Sequence, residues 1–475
     1  MGLTDIISVG TAFSVACVLL SIYLRDPEQE LRDRLVNVIN GLIHVEDRHI
    51  KLSPKVLVGY GGCVDLYVRG GELFTYRPDI GEPRHFDGIN TIDELERSYA
   101  YYFQHGAATE RYTVNSTLFD SLIERAEKLP TSYYTIGGNA PVMAMRLFRE
   151  GCQVILASTI SEKHRNNIPK GIKVVGEAVK RDDIHLILEY KSGENWGPYK
   201  APRANRYILH NDVHNPALKT LEYLDDPIKS WKPDLFVVSG LQLMDNFVYP
   251  EGFRTEKIKR IHDQIQSLPK STKVHFEMAS FTELALLMDM KNYVIPFSDS
   301  LGMNEQELAN LYSIYQYGNI SLVTDSTPRV GIVLDQMRYI FKKIRKTNTI
   351  VPNSKILSRI HIHTLAYQAI MTEINSNWKH TEIAAAKASL TAFRHTCASS
   401  EVDANKAAVL MDESFSRSVL KSDSGRIELE PSHPVPCWKE GNVLVCVAAG
   451  VVCTNVEQTA GGGDNISAAA LAIQL

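Results

Sequence analysis

The sequence predicts an α/β fold with a mostly parallel central sheet, and three observations carry that reading. Short apolar runs recur along the chain, many of them end in glycine or a polar residue, and helix-like stretches lie between many of them. In such sheets ligands bind outside the carboxyl ends of the strands. At 475 residues the chain exceeds one ordinary core, so two or three domains are expected. Hydrophobic content of 44% and a net charge of −4 fit a soluble globular protein and leave no basic surplus for general nucleic-acid binding.

Residues 6–24 read IISVGTAFSVACVLLSIYL, without a charge, before Arg25-Asp26. That length suits a secretory signal or a signal-anchor. No Lys or Arg precedes it, and Asp5 stands in that flank. Residues 1–25 are assigned to this segment and 26–54 to an N-terminal part carrying a surface helix over 28–45. The run Lys55-Val56-Leu57-Val58-Gly59-Tyr60-Gly61-Gly62-Cys63-Val64-Asp65 is a strand entering a glycine turn. Further strands are expected at 154–157, 185–189, 235–238, 273–276, 321–324 and 331–334, and a helix over 142–150. Polar, aromatic stretches near 70–113 and 181–207 predict a small second domain or lid, assembled from insertions.

The seven cysteines are too sparse for a disulfide scaffold, and no metal-binding Cys/His spacing is present. Cys437, Cys446 and Cys453 lie close enough in sequence for one bridge in an oxidising lumen. Asn115-Ser116-Thr117 and Asn319-Ile320-Ser321 are glycosylation acceptors in principle. Asn465-Ile466-Ser467 also matches, but its place beside a proposed site predicts that it is unused.

Five segments carry the chemistry. Asp65 follows the Gly61-Gly62 turn, and Gly137-Gly138-Asn139 opens a helix with backbone and amide donors suited to a polyol. Strand alternation puts His275 and Glu277 on one face, and a strand-end carboxylate suits hydrated magnesium. In Asn304-Glu305-Gln306-Glu307 the first and last residues share a helix face, although acids are common in any first helical turn. The chain ends in Gly461-Gly462-Gly463-Asp464 before an alanine-rich apolar run. A glycine turn at a helix mouth aims free N–H groups and a favourable dipole at an anion, and Asp464 beside it is placed to take a hydroxyl proton. The plain alternative is a capped turn.

In this order the segments resemble the ribokinase-like sugar kinases, and His275-Phe276-Glu277 with Asn304-Glu305-Gln306-Glu307 narrows the likeness. Together with Ala201-Pro202-Arg203-Ala204-Asn205-Arg206-Tyr207-Ile208 they resemble the ADP-dependent glucokinase family, with its H-x-E, N-x-x-E and G-x-G-D motifs. Val238-Ser239-Gly240-Leu241-Gln242 and Arg359-Ile360-His361-Ile362-His363-Thr364 extend the likeness, which runs from about Val56 to the C-terminus. The apolar start is similar to that of the animal members.

The resemblance implies a ribokinase-like three-layer α/β core with a mostly parallel central sheet and a smaller α+β lid domain built from insertions. It makes 55–475 the kinase region, with the lid formed from parts of about 66–115 and 180–212. It implies Asp464 as the catalytic base, and Glu277 and Glu307, with Asp464, as the acids that hold one magnesium through its water shell. It implies Asp65, Glu110, Gly137, Gly138 and Asn139 on the sugar, and Arg203, Asn304, Glu305, Gly461, Gly462 and Gly463 on the nucleotide, with Val435 at the adenine wall. Family members commonly carry a larger residue where Gly462 stands. The implied reaction moves the terminal phosphoryl of ADP to the 6-hydroxyl of glucose. A monomer is the default expectation, and the apolar segment 6–24 predicts the secretory pathway, at the endoplasmic reticulum or secreted, with membrane association through that segment. An ATP-dependent ribokinase-like sugar kinase and a catalytically silent membrane-tethered sugar or nucleotide sensor are the alternatives. Phosphofructokinase activity would need sugar-side basic residues, and no such cluster is evident in the sequence.

Overall fold

The computed structural model describes residues 26–49, 52–321, 325, 327–421 and 425–475. The apolar run 6–24 lies outside the described residues, as does most of the strand expected at 321–324. Among the described residues no helix is long and apolar enough to cross a membrane.

A ten-stranded sheet forms the core, in the order Cys437–Glu440, Val443–Ala449, Tyr367–Glu373, Arg359–His363, Ser300–Asn304, Lys273–Glu277, Leu235–Ser239, Lys55–Tyr60, Gln153–Ala157, Lys173–Val175. From Arg359–His363 to Lys173–Val175 every neighbouring pair is parallel, and the remaining three strands add antiparallel at one edge. The parallel strands are buried on both faces, which is why they read as continuous apolar runs. This is the expected α/β core with a mostly parallel sheet. Strand order departs in both directions from Lys55–Tyr60, so the crevice for a ligand opens where that strand ends, at Gly61-Gly62.

One expected strand is a helix. Residues 331–334 lie in Val330–Asn348, whose buried Val330, Val333, Leu334 and Met337 follow helical spacing. A four-residue apolar run has no period of its own, and the longer pattern decides. The helix expected at 142–150 begins earlier, as Asn139–Arg149, because Gly138 at φ +80° turns the chain directly from strand into helix.

A second sheet runs Thr109–Tyr112, Asn205–His210, Ile184–Tyr190, Cys63–Arg69, Tyr133–Gly137. Its strand Tyr133–Gly137 falls outside the two insertions 66–115 and 180–212. Alternation sorts its residues. Leu66, Val68, Leu186, Leu188, Tyr207 and Leu209 pack with Tyr99, Phe103 and Trp196 in an aromatic core of their own. Tyr67 and Ile187, of the opposite parity, pack against Ala460 at the mouth of the C-terminal helix. Asp65, His185, Glu189, Arg206 and His210 share that second face, so strand geometry alone gathers the polar groups of this sheet toward the core.

The N-terminal helix Pro27–Glu46 starts with Asp26 accepting from the Gln29 N–H and with acids in its first turn. Its last residue joins it to the core. Glu46 accepts from both Arg394 guanidinium nitrogens at 2.7 and 2.9 Å, and Lys387 Nζ lies 2.9 Å away. Disulfides pair Cys437 with Cys446, two of the three cysteines singled out by sequence, and Cys453 with Cys397, outside that set.

Burial alone would raise the pKa of Glu46, but its hydrogen bond from Arg394 and the charge of Lys387 outweigh that and lower it. A lowered carboxylate contributes stability above its ordinary range and loses it as pH falls. Glu46→Ala, which leaves Arg394 unpaired, is expected to destabilise the fold by about 3 kcal/mol in urea titrations at pH 7, with a smaller difference at pH 4.

Candidate active site

The carboxyl ends of the parallel strands and the mouths of two helices meet at one place. The C-terminal helix Gly462–Gln474 is apolar and buried over nearly its whole length, so its N-terminus is held rigidly at the sheet. Gly461, at φ +69°, turns the chain into it. Asp464 sits in its first turn, and Asn139 Nδ2 donates to Asp464 Oδ1 at 2.9 Å. Asn139 Oδ1 in turn accepts from Gln242 Nε2 at 2.8 Å. The Gly-Gly-Asn turn thus delivers its amide to the aspartate rather than leaving it free.

Glu277 ends its strand, 3% exposed, on a buried polar ladder. Arg359 Nη1 lies 3.0 Å from Ser300 Oγ, Ser300 Oγ 2.9 Å from His275 Nδ1, and His275 Nε2 2.7 Å from Glu277 Oε2. An arginine only donates and a carboxylate only accepts, so the hydrogens have one satisfactory assignment, with every donor pointing toward Glu277. Burial would raise the Glu277 pKa, but the hydrogen bond from His275 and the nearby His363 hold it at about 2. Glu307 and Asn304 form a reciprocal cap: Asn304 N and Nδ2 donate to Glu307, and Glu307 N donates to Asn304 Oδ1, each at 2.9 Å. Burial, with Glu277 and Asp464 nearby, lifts Glu307 to about 7. Burial and the Glu277 charge lift Asp464 to about 7 as well, against the pull of Asn139 and His363. Burial also raises the pKa of Glu305, in the same helical turn.

Excess negative charge is therefore built into this spot, which is the chemistry a divalent cation relieves. The three carboxylates do not converge to direct-ligand spacing among the described residues, so their arrangement suits a cation that keeps its waters.

His363 belongs to the group although the site assignment from sequence omitted it. Its Nε2 lies 3.7 Å from Glu277 Oε1 and has no closer hydrogen-bond partner among the described residues. Arg359, His361 and His363 alternate along one strand, and that parity is the signal that points them beneath the terminal helix.

On the second sheet Asp65 is 7% exposed and lies against Gly137, where a Cβ would fall on its carboxylate. Burial raises Asp65 to about 6, moderated by His185. His185 Nδ1 lies 3.3 Å from Glu110 Oε1, and Glu110 lines a narrow cleft that Glu307 lines from the core side. Arg206 stands within electrostatic reach of both Asp65 and Asp464, and its buried Nε has no hydrogen-bond partner. Arg203, two residues before the strand Asn205–His210 begins, instead gives its Nε to the Gly106 carbonyl at 2.7 Å. Val435 packs into the main core beside the antiparallel edge. A larger cavity, about 1030 Å³, opens beside Gln153 and Trp231, away from all of these groups.

The loop feeding the glycines is fixed from both sides. Thr459 N and Oγ1 donate to Glu189 Oε1 of the second sheet at 3.3 Å, and His395 Nε2 donates to the Ala460 carbonyl at 2.8 Å. The Cys397–Cys453 bridge joins the same helix end to the strand that precedes the loop. Asn465 is 7% exposed and hydrogen-bonded to Arg146 and to Gly461, which closes that glycosylation sequence to modification.

The three glycines differ in what they tolerate. A Cβ on Gly463 would meet the His363 ring at 2.8 Å, whereas one on Gly462 would make ordinary contact with His395 at 3.7 Å. Gly462→Ala is expected to leave turnover and melting temperature nearly unchanged. Gly463→Ala is expected to displace the helix mouth and lower kcat by about 100-fold. Steady-state kinetics on both variants, with thermal melts, check the contrast.

Residues 54–473 match the family described as ADP-specific Phosphofructokinase/Glucokinase conserved region. An ADP-dependent glucokinase of Bos taurus is 30% identical over 88% of this chain and 84% of its own length. A probable ADP-dependent glucokinase of Caenorhabditis elegans is 28% identical over 88% of this chain and 85% of its own. A solved ADP-dependent kinase in complex with fructose-6-phosphate and ADPβS shares the fold, with a TM-score of 0.62 at 16% identity over 95% of this chain and 98% of its own. The chain belongs to the ADP-specific phosphofructokinase and glucokinase family.

Proposed function

We propose that this enzyme, an ADP-dependent sugar kinase by family, phosphorylates glucose at its 6-hydroxyl and releases AMP and glucose 6-phosphate. The observation that carries the reading is Asp464: it stands in the first turn of a buried helix, oriented by Asn139, with a proton affinity lifted to about 7 by burial and by Glu277. A base poised near neutrality suits proton removal from an alcohol, a contribution of roughly 10²- to 10⁴-fold.

In the proposed step the sugar oxygen attacks the terminal phosphorus of ADP as the bond to the bridging oxygen breaks. AMP leaves with that electron pair, and the hydroxyl proton passes to Asp464. The N–H groups around Gly461 to Gly463 and the helix dipole face the transferring group, and Arg206 adds a positive charge from the second sheet. Glu277, Glu307 and Asp464 would hold one magnesium ion through its waters, which neutralises diphosphate charge when bound. Asp65, Glu110, His185 and the Gly137-Gly138 turn form the sugar side. Arg203, Asn304, Glu305 and Val435 are assigned to the nucleotide side on resemblance. Glucose over fructose 6-phosphate is supported by the animal relatives and by the acidic character of the Asp65 and Glu110 group, which would repel a phosphorylated sugar.

We further assign the protein to an oxidising compartment of the secretory pathway as a monomer, with residues 6–24 as signal peptide or anchor. The two disulfides support that assignment.

Phosphorus NMR of a mixture with glucose, Mg²⁺ and ADP is expected to show AMP and a hexose 6-phosphate appearing together, with ATP a poor donor. Turnover with ATP alone would overturn the donor assignment, and ligand binding without turnover would favour a sensor. Asp464→Asn is expected to lower kcat at least about 100-fold while keeping the fold. At pH 8 it should melt no lower than the parent, because it removes a buried charge whose folded pKa lies above its unfolded one.

A further inference from the structure

Asp212 is fully buried, two residues beyond the strand Asn205–His210, where the chain returns from the second sheet to the core. An ionised carboxylate survives there only with several partners. His185 Nε2 lies 3.1 Å from both of its oxygens, His210 Nδ1 lies 3.2 Å from Oδ1, and Asn215 Nδ2 donates to Oδ2 at 2.6 Å. Asn215 Oδ1 also accepts from the Gly62 N–H at 3.1 Å, on the outgoing passage from core to second sheet. The neighbouring Asp183 takes the backbone N–H groups of Val213, His214 and Asn215, so the loop around Asp212 is fixed. One carboxylate thus ties together both passages of the chain between the sheets and the histidine of the sugar side.

The proton count on His185 follows from its neighbours. Its Nε2 faces Asp212 and its Nδ1 faces Glu110 Oε1 at 3.3 Å, and both partners are carboxylates. With both carboxylates ionised, a neutral ring would turn a bare lone pair on one of them, so both nitrogens then carry hydrogen. The groups that face this ring are Asp212, Glu110, Asp65 with Cys63 behind it, and the His210 ring with its centroid 4.7 Å away. Asp183 adds negative charge beside Asp212, and Arg206 adds positive charge beside Asp65. With its net acidic surroundings, His185 is held charged up to about 10, burial being outweighed chiefly by Asp212.

We propose that Asp212 is a positioning residue for the sugar site, holding His185 in one orientation and one charge state between Glu110 and Asp65 so that the three present fixed donors and acceptors to the sugar hydroxyls at neutral pH. This rests on the sugar-side reading of that group given above.

Three measurements on the full chain test it. In the unaltered protein, NMR titration of ¹³C-labelled histidine should show no His185 transition between pH 5.5 and 8.5, and an ordinary midpoint near 6.5 would overturn the proposal whatever the substrate proves to be. In Asp212→Asn, the KM for glucose should rise about 10- to 100-fold over the parent at pH 8, with kcat changed far less. The ratio of variant to parent KM should shrink toward pH 6, where His185 regains its proton. A ratio that is constant with pH would reduce Asp212 to a merely structural role and overturn the proposal. A stoichiometric divalent metal in the purified parent that is lost in Asp212→Asn would mean that His185, His210 and Asp212 are metal ligands, and would overturn it as well. Absence of glucose phosphorylation in the parent, with a silent His185 titration, would instead remove the sugar reading and leave the Asp212–His185 pair standing.

Discussion

The molecule is organised around negative charge confined where it is costly. Asp464, Glu277 and Glu307 come from the last helix, a central strand and a mid-chain helix, and each is buried within the field of the others. Two of them respond by holding protons near neutrality, and the third stays ionised because a ladder of donors ends on it. A base with raised affinity and a permanently charged neighbour are different tools, and the difference is made by second partners, not by the carboxylates themselves. The positive end of the helix dipole at Gly461 to Gly463 and the field of Arg206 supply the compensation that a phosphoryl group and its cation would complete.

The two sheets handle burial in opposite ways. In the core, Arg359, Ser300 and His275 form a directed chain whose hydrogens have one arrangement, so Glu277 is oriented before any ligand arrives. In the second sheet, His185 is shared between Asp212 and Glu110, and the result is a cation among acids. The loop 454–461 joins these regimes. Glu189 holds it from the second sheet, and His395 with the Cys397–Cys453 bridge holds it from the core. A shift of one sheet against the other would therefore reach Gly461, Gly462 and Gly463 through this loop.

Much of the candidate site was legible in the sequence because its parts sit at element ends. Asp65, Gly137-Gly138, Glu277 and Gly461 to Asp464 each mark a strand exit or a helix entry, where residue type and spacing speak for themselves. What was not legible depends on parity or on distant pairing. Arg206 and Arg203 occur in one run, and only the inward facing of Tyr207 and Leu209 shows that Arg206 points to the cleft. His185 meets Asp212 and Glu110 through sheet pairing, which leaves no local spacing to read. Cys397 pairs with Cys453 across 56 residues, beyond any motif. The apolar stretch at 331–334 failed for the opposite reason: it is too short to carry a period, and the helix around it decided.

Asp464 owes its raised proton affinity to burial and to crowding by Glu277. The most direct measurement is the protonation midpoint of the Asp464 carboxyl, by difference infrared spectroscopy of the full chain against Asp464→Asn, with and without Mg²⁺. A midpoint near 7 is expected without the ion, with a clear fall when Mg²⁺ is added. A midpoint in the ordinary aspartate range near 4, indifferent to Mg²⁺, would contradict it.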